Sequence, residues 1–130
     1  MLKKIYKFIF FSLIIFSSSV SSQQNWEYVG KFRGNEIYYI KNSVSKGPYT
    51  YVLVVIKPGN TSVDDFGNKY DYATVSCIYL KDYRNEIMCR ISNKIYYYND
   101  NTQKKSIMPS IEVRLNFDKI VSDLYYKITQ

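Results

Sequence analysis

An α+β fold is predicted: an antiparallel sheet of about five to six strands with a C-terminal α-helix packed on one face. Three observations predict it. Short runs of β-branched and aromatic residues alternate with polar ones and stop at Gly, Pro, Asn or Asp. One stretch, residues 70–91 (YDYATVSCIYLKDYRNEIMCRI), reads as two strands folded back on each other and holds both cysteines, Cys77 and Cys89. The end of the chain alone changes from a period of two to a spacing of three and four.

Residues 1–22 have the pattern of a secretion signal. Lys3, Lys4 and Lys7 form a positive start, 8–16 (FIFFSLIIF) is a short apolar run, and small residues follow, with Val20 and Ser22 at cleavage-site positions. A membrane-spanning helix needs about 20 apolar residues, so no transmembrane segment is expected once the signal is removed. No cysteine sits near the cleavage point to carry a lipid. The expected product is one exported domain, residues 23–130, destined for the periplasm, the outer surface or the medium. Its net charge is the whole chain's +7 less those three lysines, or +4.

Residues 26–32 (WEYVGKF) and 36–41 (EIYYIK) alternate on either side of the turn signal Arg33-Gly34-Asn35, which predicts a hairpin. Residues 49–57 (YTYVLVVIK) are apolar on both parities, as expected of a central strand with both faces covered. Pro58-Gly59-Asn60 ends it, and 63–69, with Asp64-Asp65 and Gly67-Asn68, reads as a solvated acidic loop. Asn60-Thr61-Ser62 is a formal glycosylation sequon.

In 70–91 the turn is expected at Lys81-Asp82-Tyr83-Arg84-Asn85, because Asp and Asn side chains bond nearby backbone groups. A turn centred on Tyr83 sets Cys77 opposite Cys89, and non-hydrogen-bonded partners with Cα atoms about 4.5 Å apart can be bridged. Such a bridge adds roughly 2–3 kcal/mol. Two unpaired thiols, or one paired with another chain, are the alternatives, and a slip of one residue excludes the bridge. Residues 94–98 (KIYYY) read as a further strand, 99–103 as a loop, and Lys104-Lys105 as its tip or edge. Ile111, Val113, Leu115 and Phe117 alternate like a strand. Phe117, Ile120, Val121, Leu124, Tyr125 and Ile128 recur like one face of a helix. Asn116, or alternatively Ser110, is the expected cap, with Asp118 in the first turn and Lys127 in the last, where their charges oppose the helix dipole.

The function classes narrow mainly by absence. The chain has no histidine, two cysteines, no Gly-rich phosphate loop and no nucleophile elbow, so no catalytic residue, metal site or cofactor is expected. Its basic residues are scattered and form no nucleic-acid motif. Tyrosine is the unusual feature, with 15 in the chain and 14 once Tyr6 leaves with the signal. Neighbours in a strand face opposite ways, so about half of these rings look away from the core. Tyrosine is enriched at binding surfaces and is also an ordinary strand residue.

The order of pieces resembles the surface-adhesin protein E family of small exported bacterial domains. Tyr38-Tyr39-Ile40 followed by Asn42-Ser43-Val44 is similar to that family's opening motif. A strand entering Cys77 with Tyr79 behind it, Arg84, Pro109-Ser110 and a terminal helix around Ile120-Val121-Ser122 and Tyr125 follow in the family's order. Lys41 stands where the family often has Asp. Ser122 stands where the family helix has the cysteine that pairs with the strand cysteine, which leaves Cys89 as the substitute partner. The resemblance implies an antiparallel sheet under a helix and a protein partner among host matrix or serum proteins such as laminin, vitronectin or plasminogen; the alternative is a periplasmic or envelope interaction protein with no host ligand. Lys104, Lys105, Tyr96 and Tyr98 form the candidate ligand-binding set, as an exposed basic and aromatic edge.

Overall fold

The computed structural model of the chain describes residues 25–130, so residues 1–22, expected to be a secretion signal, lie outside the described residues. Eight antiparallel strands form a single sheet: β1 (Trp26–Phe32), β2 (Asn35–Ile40), β3 (Ser45–Lys46), β4 (Thr50–Lys57), β5 (Tyr72–Lys81), β6 (Ile87–Tyr97), β7 (Gln103–Lys105) and β8 (Ile111–Arg114). A helix, α1 (Lys119–Thr129), follows. The order across the sheet is β1-β2-β4-β5-β6-β7, with β3 also on β4 and β8 also on β6. The α+β expectation holds, but with more strands than the five to six expected. The surplus comes from the short strands β3 and β7, two and three residues long, which carry little alternation of their own, while β8 is the strand that the alternation from Ile111 predicts.

Local chemistry explains the joints. Phe32 pairs with Asn35 across Arg33 and Gly34, whose φ values of 51° and 82° are those of a two-residue hairpin turn with both centres left-handed. Gly59 packs against this turn, where a Cβ would lie 2.6 Å from the Gly34 carbonyl oxygen. The Asn35 Oδ1 accepts from Gly59 N at 2.9 Å and from the Ser62 hydroxyl at 2.6 Å. β4 is the expected central strand: Val52 and Val55, on opposite faces, are both fully buried.

The β5–β6 turn differs from expectation, and the difference reaches the cysteines. Asp82 accepts from Arg84 N and Glu86 N, and Asn85 takes a φ of 65°. The loop therefore runs from Asp82 to Glu86, between the paired Lys81 and Ile87, and centres on Arg84 rather than Tyr83. Cys77 then faces Ile91, and Cys89 faces Tyr79. A shift of two residues keeps both side chains on one face but sets the residues diagonally, where Cα atoms lie about 7–8 Å apart, past the usual Cα span of a disulfide. The expected bridge is not formed. Both cysteines are buried free thiols. A hydrogen bond to Cys89, together with burial, pushes the Cys77 thiol well above its ordinary value.

β6 is one long strand where two were expected. Between Thr74–Ile95 and Ser76–Ser92 the register slips, and Asn93 sits at a φ of 56°, an extra residue absorbed as a bulge. The helix begins later than expected. Asp118 itself is the N-cap, its carboxylate accepting from Ile120 N at 2.8 Å and from Val121 N at 3.4 Å, in place of Asn116 or Ser110. Val121, Leu124 and Ile128 bury one stripe of α1 against Val29, Tyr39, Val54, Cys77, Tyr79 and Cys89. The Tyr79 hydroxyl donates to the Val121 carbonyl at 2.7 Å and joins the middle of the sheet to the helix.

Arg114 of β8 donates to Asp82 Oδ2 at 2.8 Å and to Glu86 Oε1 at 2.9 Å, pinning the β5–β6 turn. The Arg114 guanidinium, with the turn amides, holds the Asp82 carboxyl down at about 2. A depressed carboxyl stabilises the fold above its unfolded value of about 3.9, and the contribution is lost as pH falls through the folded value. Urea midpoints measured between pH 5 and pH 2 are expected to fall steadily, and Asp82→Asn to flatten that slope. A slope identical in both proteins would show that the pair does not act on stability.

Candidate binding face

Along each strand, alternate side chains leave the helix side. On the far face this places Trp26 and Tyr28 on β1, Tyr38 on β2, Tyr72 on β5 and Tyr97 on β6. The rings are in mutual contact. Tyr28 and Tyr38 meet edge to face at 5.4 Å, Trp26 and Tyr38 are tilted at 5.8 Å, and Trp26 meets Tyr72 edge to face at 5.4 Å. Tyr72 stacks on Tyr97 at 4.7 Å with only 13° between planes. Centroid spacings of about 4.5–7 Å in these poses are the favourable ones for aromatic pairs. Val55, Thr74 and Ile40 share this face and are buried.

The aromatic layer is polar at its tips and uncharged. The Tyr38 hydroxyl donates to Glu36 Oε1 at 2.9 Å, and that bond, with burial, raises its pKa. Burial, then the neighbouring Tyr97 and Asp71, push Tyr72 up to about 12. Both phenols keep their protons at neutral pH and remain donors. Tyr28 is 47% exposed, and the other four rings are half-buried. No helix among the described residues covers this face, and none is long and apolar enough to cross a membrane. The expectation that about half the strand tyrosines face away from the core is thus realised by a contiguous group.

The basic and aromatic edge comes out differently. Lys104 and Lys105 lie exposed on β7, with the Lys104 ammonium 4.3 Å from the Phe66 ring centroid. Tyr96, expected on the surface, is 2% exposed, and its hydroxyl donates to Asp65 Oδ1 at 2.8 Å. Tyr98 is half-buried and donates to Asp64, a bond that raises its pKa to about 12. The β6 bulge turns Tyr96 inward, so the four residues do not form one exposed patch.

The partners of these tyrosines correct a second expectation. The 63–69 segment is a largely exposed loop, but its two aspartates turn inward instead of being solvated. Asp64 is 5% exposed and accepts from Phe66 N and Asn68 N, each at 2.8 Å, as well as from Tyr98. Asp65 accepts from Tyr96, from the Ser106 hydroxyl at 2.7 Å and from Ile107 N at 2.9 Å. These bonds hold both carboxyls below their usual range, led by Tyr98 for Asp64 and by Ser106 for Asp65. Apart from the local amides of Phe66 and Asn68, their partners lie 31–42 residues away in sequence, beyond any local pattern.

Compared with known proteins, the chain matches no family model, no curated protein and no solved structure.

Proposed function

We propose that the chain is an exported binding module of the surface-adhesin E kind, engaging a host extracellular-matrix or serum protein through its aromatic face. The observation that supports this reading is the run of Trp26, Tyr28, Tyr38, Tyr72 and Tyr97 on the helix-free side of the sheet. Tyrosine and tryptophan present large, rigid contact area at low entropic cost and dominate interface hot spots. Neutral phenols add hydrogen-bond donors without a charge that must be desolvated.

The test is binding of the purified domain to immobilised laminin, vitronectin and plasminogen. Saturable binding is expected, with little loss between 0.1 and 0.5 M salt, because aromatic contacts are barely screened. Tyr38→Ser with Tyr97→Ser should weaken it by roughly thirtyfold, the scale of a hot spot of about 2 kcal/mol. Lys104→Glu with Lys105→Glu should change it little. Steep salt dependence and loss in the lysine variant would move the site to β7. Failure against the whole host panel, with an endogenous partner recovered by crosslinking, would replace the host reading with an envelope-interaction one. Protease shaving of intact cells separates a surface location from a periplasmic one.

A further inference from the structure

The sheet is longer than the helix laid on it. The eleven residues of α1 span about 16 Å, whereas the eleven residues of β6 span roughly 36 Å. Beside the helix a cavity of about 380 Å³ opens between α1 and the sheet, within the range of about 300–1,000 Å³ typical of small-molecule sites. Val54, Val75 and Leu124 line its depth, and Phe32, Met108 and Ile111 border it towards solvent.

A break in the sheet edge explains the opening. β7 pairs with residues 95–97 of β6 and β8 with residues 88–91, so residues 92–94 have no strand beside them on that edge. The 106–110 segment crosses the gap, joined to β6 by Ser106 N donating to the Lys94 carbonyl at 2.8 Å. The Asn93 bulge turns the Lys94 side chain onto the cavity wall. At this gap Met108 and Ile111 stay in water, 63% and 51% exposed, and Phe32 of β1, also on the cavity wall, is 39% exposed. Apolar lips on an apolar void are the signature of a site that takes an apolar ligand.

Lys94 supplies the polar end. Its ammonium is half-buried, 5.0 Å from the Tyr96 ring centroid, and it forms no ion pair among the described residues. Asp65, the carboxylate that acts on it electrostatically, is already committed to Tyr96, Ser106 and Ile107. Asp118, also on the wall, is occupied capping α1. We propose that this cavity binds a single-chain aliphatic carboxylic acid, a free fatty acid, with its chain between sheet and helix and its carboxylate on Lys94 Nζ. The site lies on the face of the sheet opposite the aromatic layer, so it stands or falls separately from partner binding.

The experiment is calorimetric titration of the delipidated domain with dodecanoate, and separately with dodecanol, both below their aggregation limits. One saturable site for each is expected. Lys94→Met keeps the apolar stem and removes the charge. It should weaken dodecanoate roughly tenfold or more, the worth of a hydrogen bond to a charged group, and leave dodecanol unchanged. Ile111→Trp, at a partly exposed position, should block both ligands while circular dichroism shows an intact fold. Absence of saturable dodecanoate binding by the folded wild type would overturn the proposal. So would equal affinity in Lys94→Met, or unaltered binding in Ile111→Trp.

Discussion

Leu124→Ala is expected to cost about 2–5 kcal/mol, the range for truncating a buried leucine whose neighbours cannot fully close the gap. Leu124 is 3% exposed and sits in the middle of the buried stripe of α1, between Val121 and Ile128. It already borders a void, so collapse around the missing side chain has little to draw on. In a domain this small the loss is a large share of a total near 5–15 kcal/mol. The melting temperature should drop by roughly 4–8 °C for each kcal/mol. Lys119→Ala on the same helix is the contrast. It breaks an exposed pair to Asp123 at 2.7 Å, worth about 0.3–0.5 kcal/mol. Thermal melts of the two variants side by side check the ranking, and similar shifts would mean that α1 is not held by its apolar stripe.

Asp65→Ala should be the most damaging polar substitution. It strips acceptors from the Tyr96 hydroxyl, the Ser106 hydroxyl and the Ile107 amide at once. Tyr96 is buried, and leaving its hydroxyl without a partner costs about 1–3 kcal/mol. The effect should also be local. Amide exchange at Ile107 is expected to accelerate far more than at Val54 in the centre of β4, because the 106–110 crossing loses its main tie. Tyr96→Phe in the Asp65→Ala background should recover part of the loss, since the orphaned hydroxyl is then gone. Uniform acceleration across the sheet, with no recovery, would contradict this account.

Repetition made much of this architecture legible. The alternation in 26–32, 36–41 and 49–57 marks strands because each side chain's parity is repeated over several residues. The stripe from Ile120 to Ile128 marks the helix in the same way. Features decided by a single residue's geometry were harder. Asp82 set the length of the β5–β6 turn and moved Cys89 from opposite Cys77 to opposite Tyr79. Asn93 turned an apparent strand break into a bulge and carried Tyr96 inward. Asp64 and Asp65 look like solvent-facing acids next to Gly67-Asn68, and their role comes from partners more than thirty residues ahead. The aromatic face lies between these extremes. Its residue types were visible, but only the pairing of β1, β2, β5 and β6 shows that they share a side.

The strand order also governs how the molecule assembles. β1 with β2, β4 with β5, β5 with β6 and β6 with β7 all join strands that follow one another in the chain, and β2 meets β4 across only the short β3. Most strands can therefore add to the edge left by the one before them, with β8 returning to β6 past the short β7, and these short closures favour rapid formation. The cover for the apolar side comes last. Until residues 119–129 dock, the sheet presents Val54, Cys77 and Tyr79 to its surroundings as bare wall. The interval between completing the sheet and seating the helix is when the chain is most prone to associate with other unfinished copies. Arg114 fastens β8 to the β5–β6 turn just ahead of the helix, so a chain that has made this contact has only a short connection left to close before α1 reaches its place.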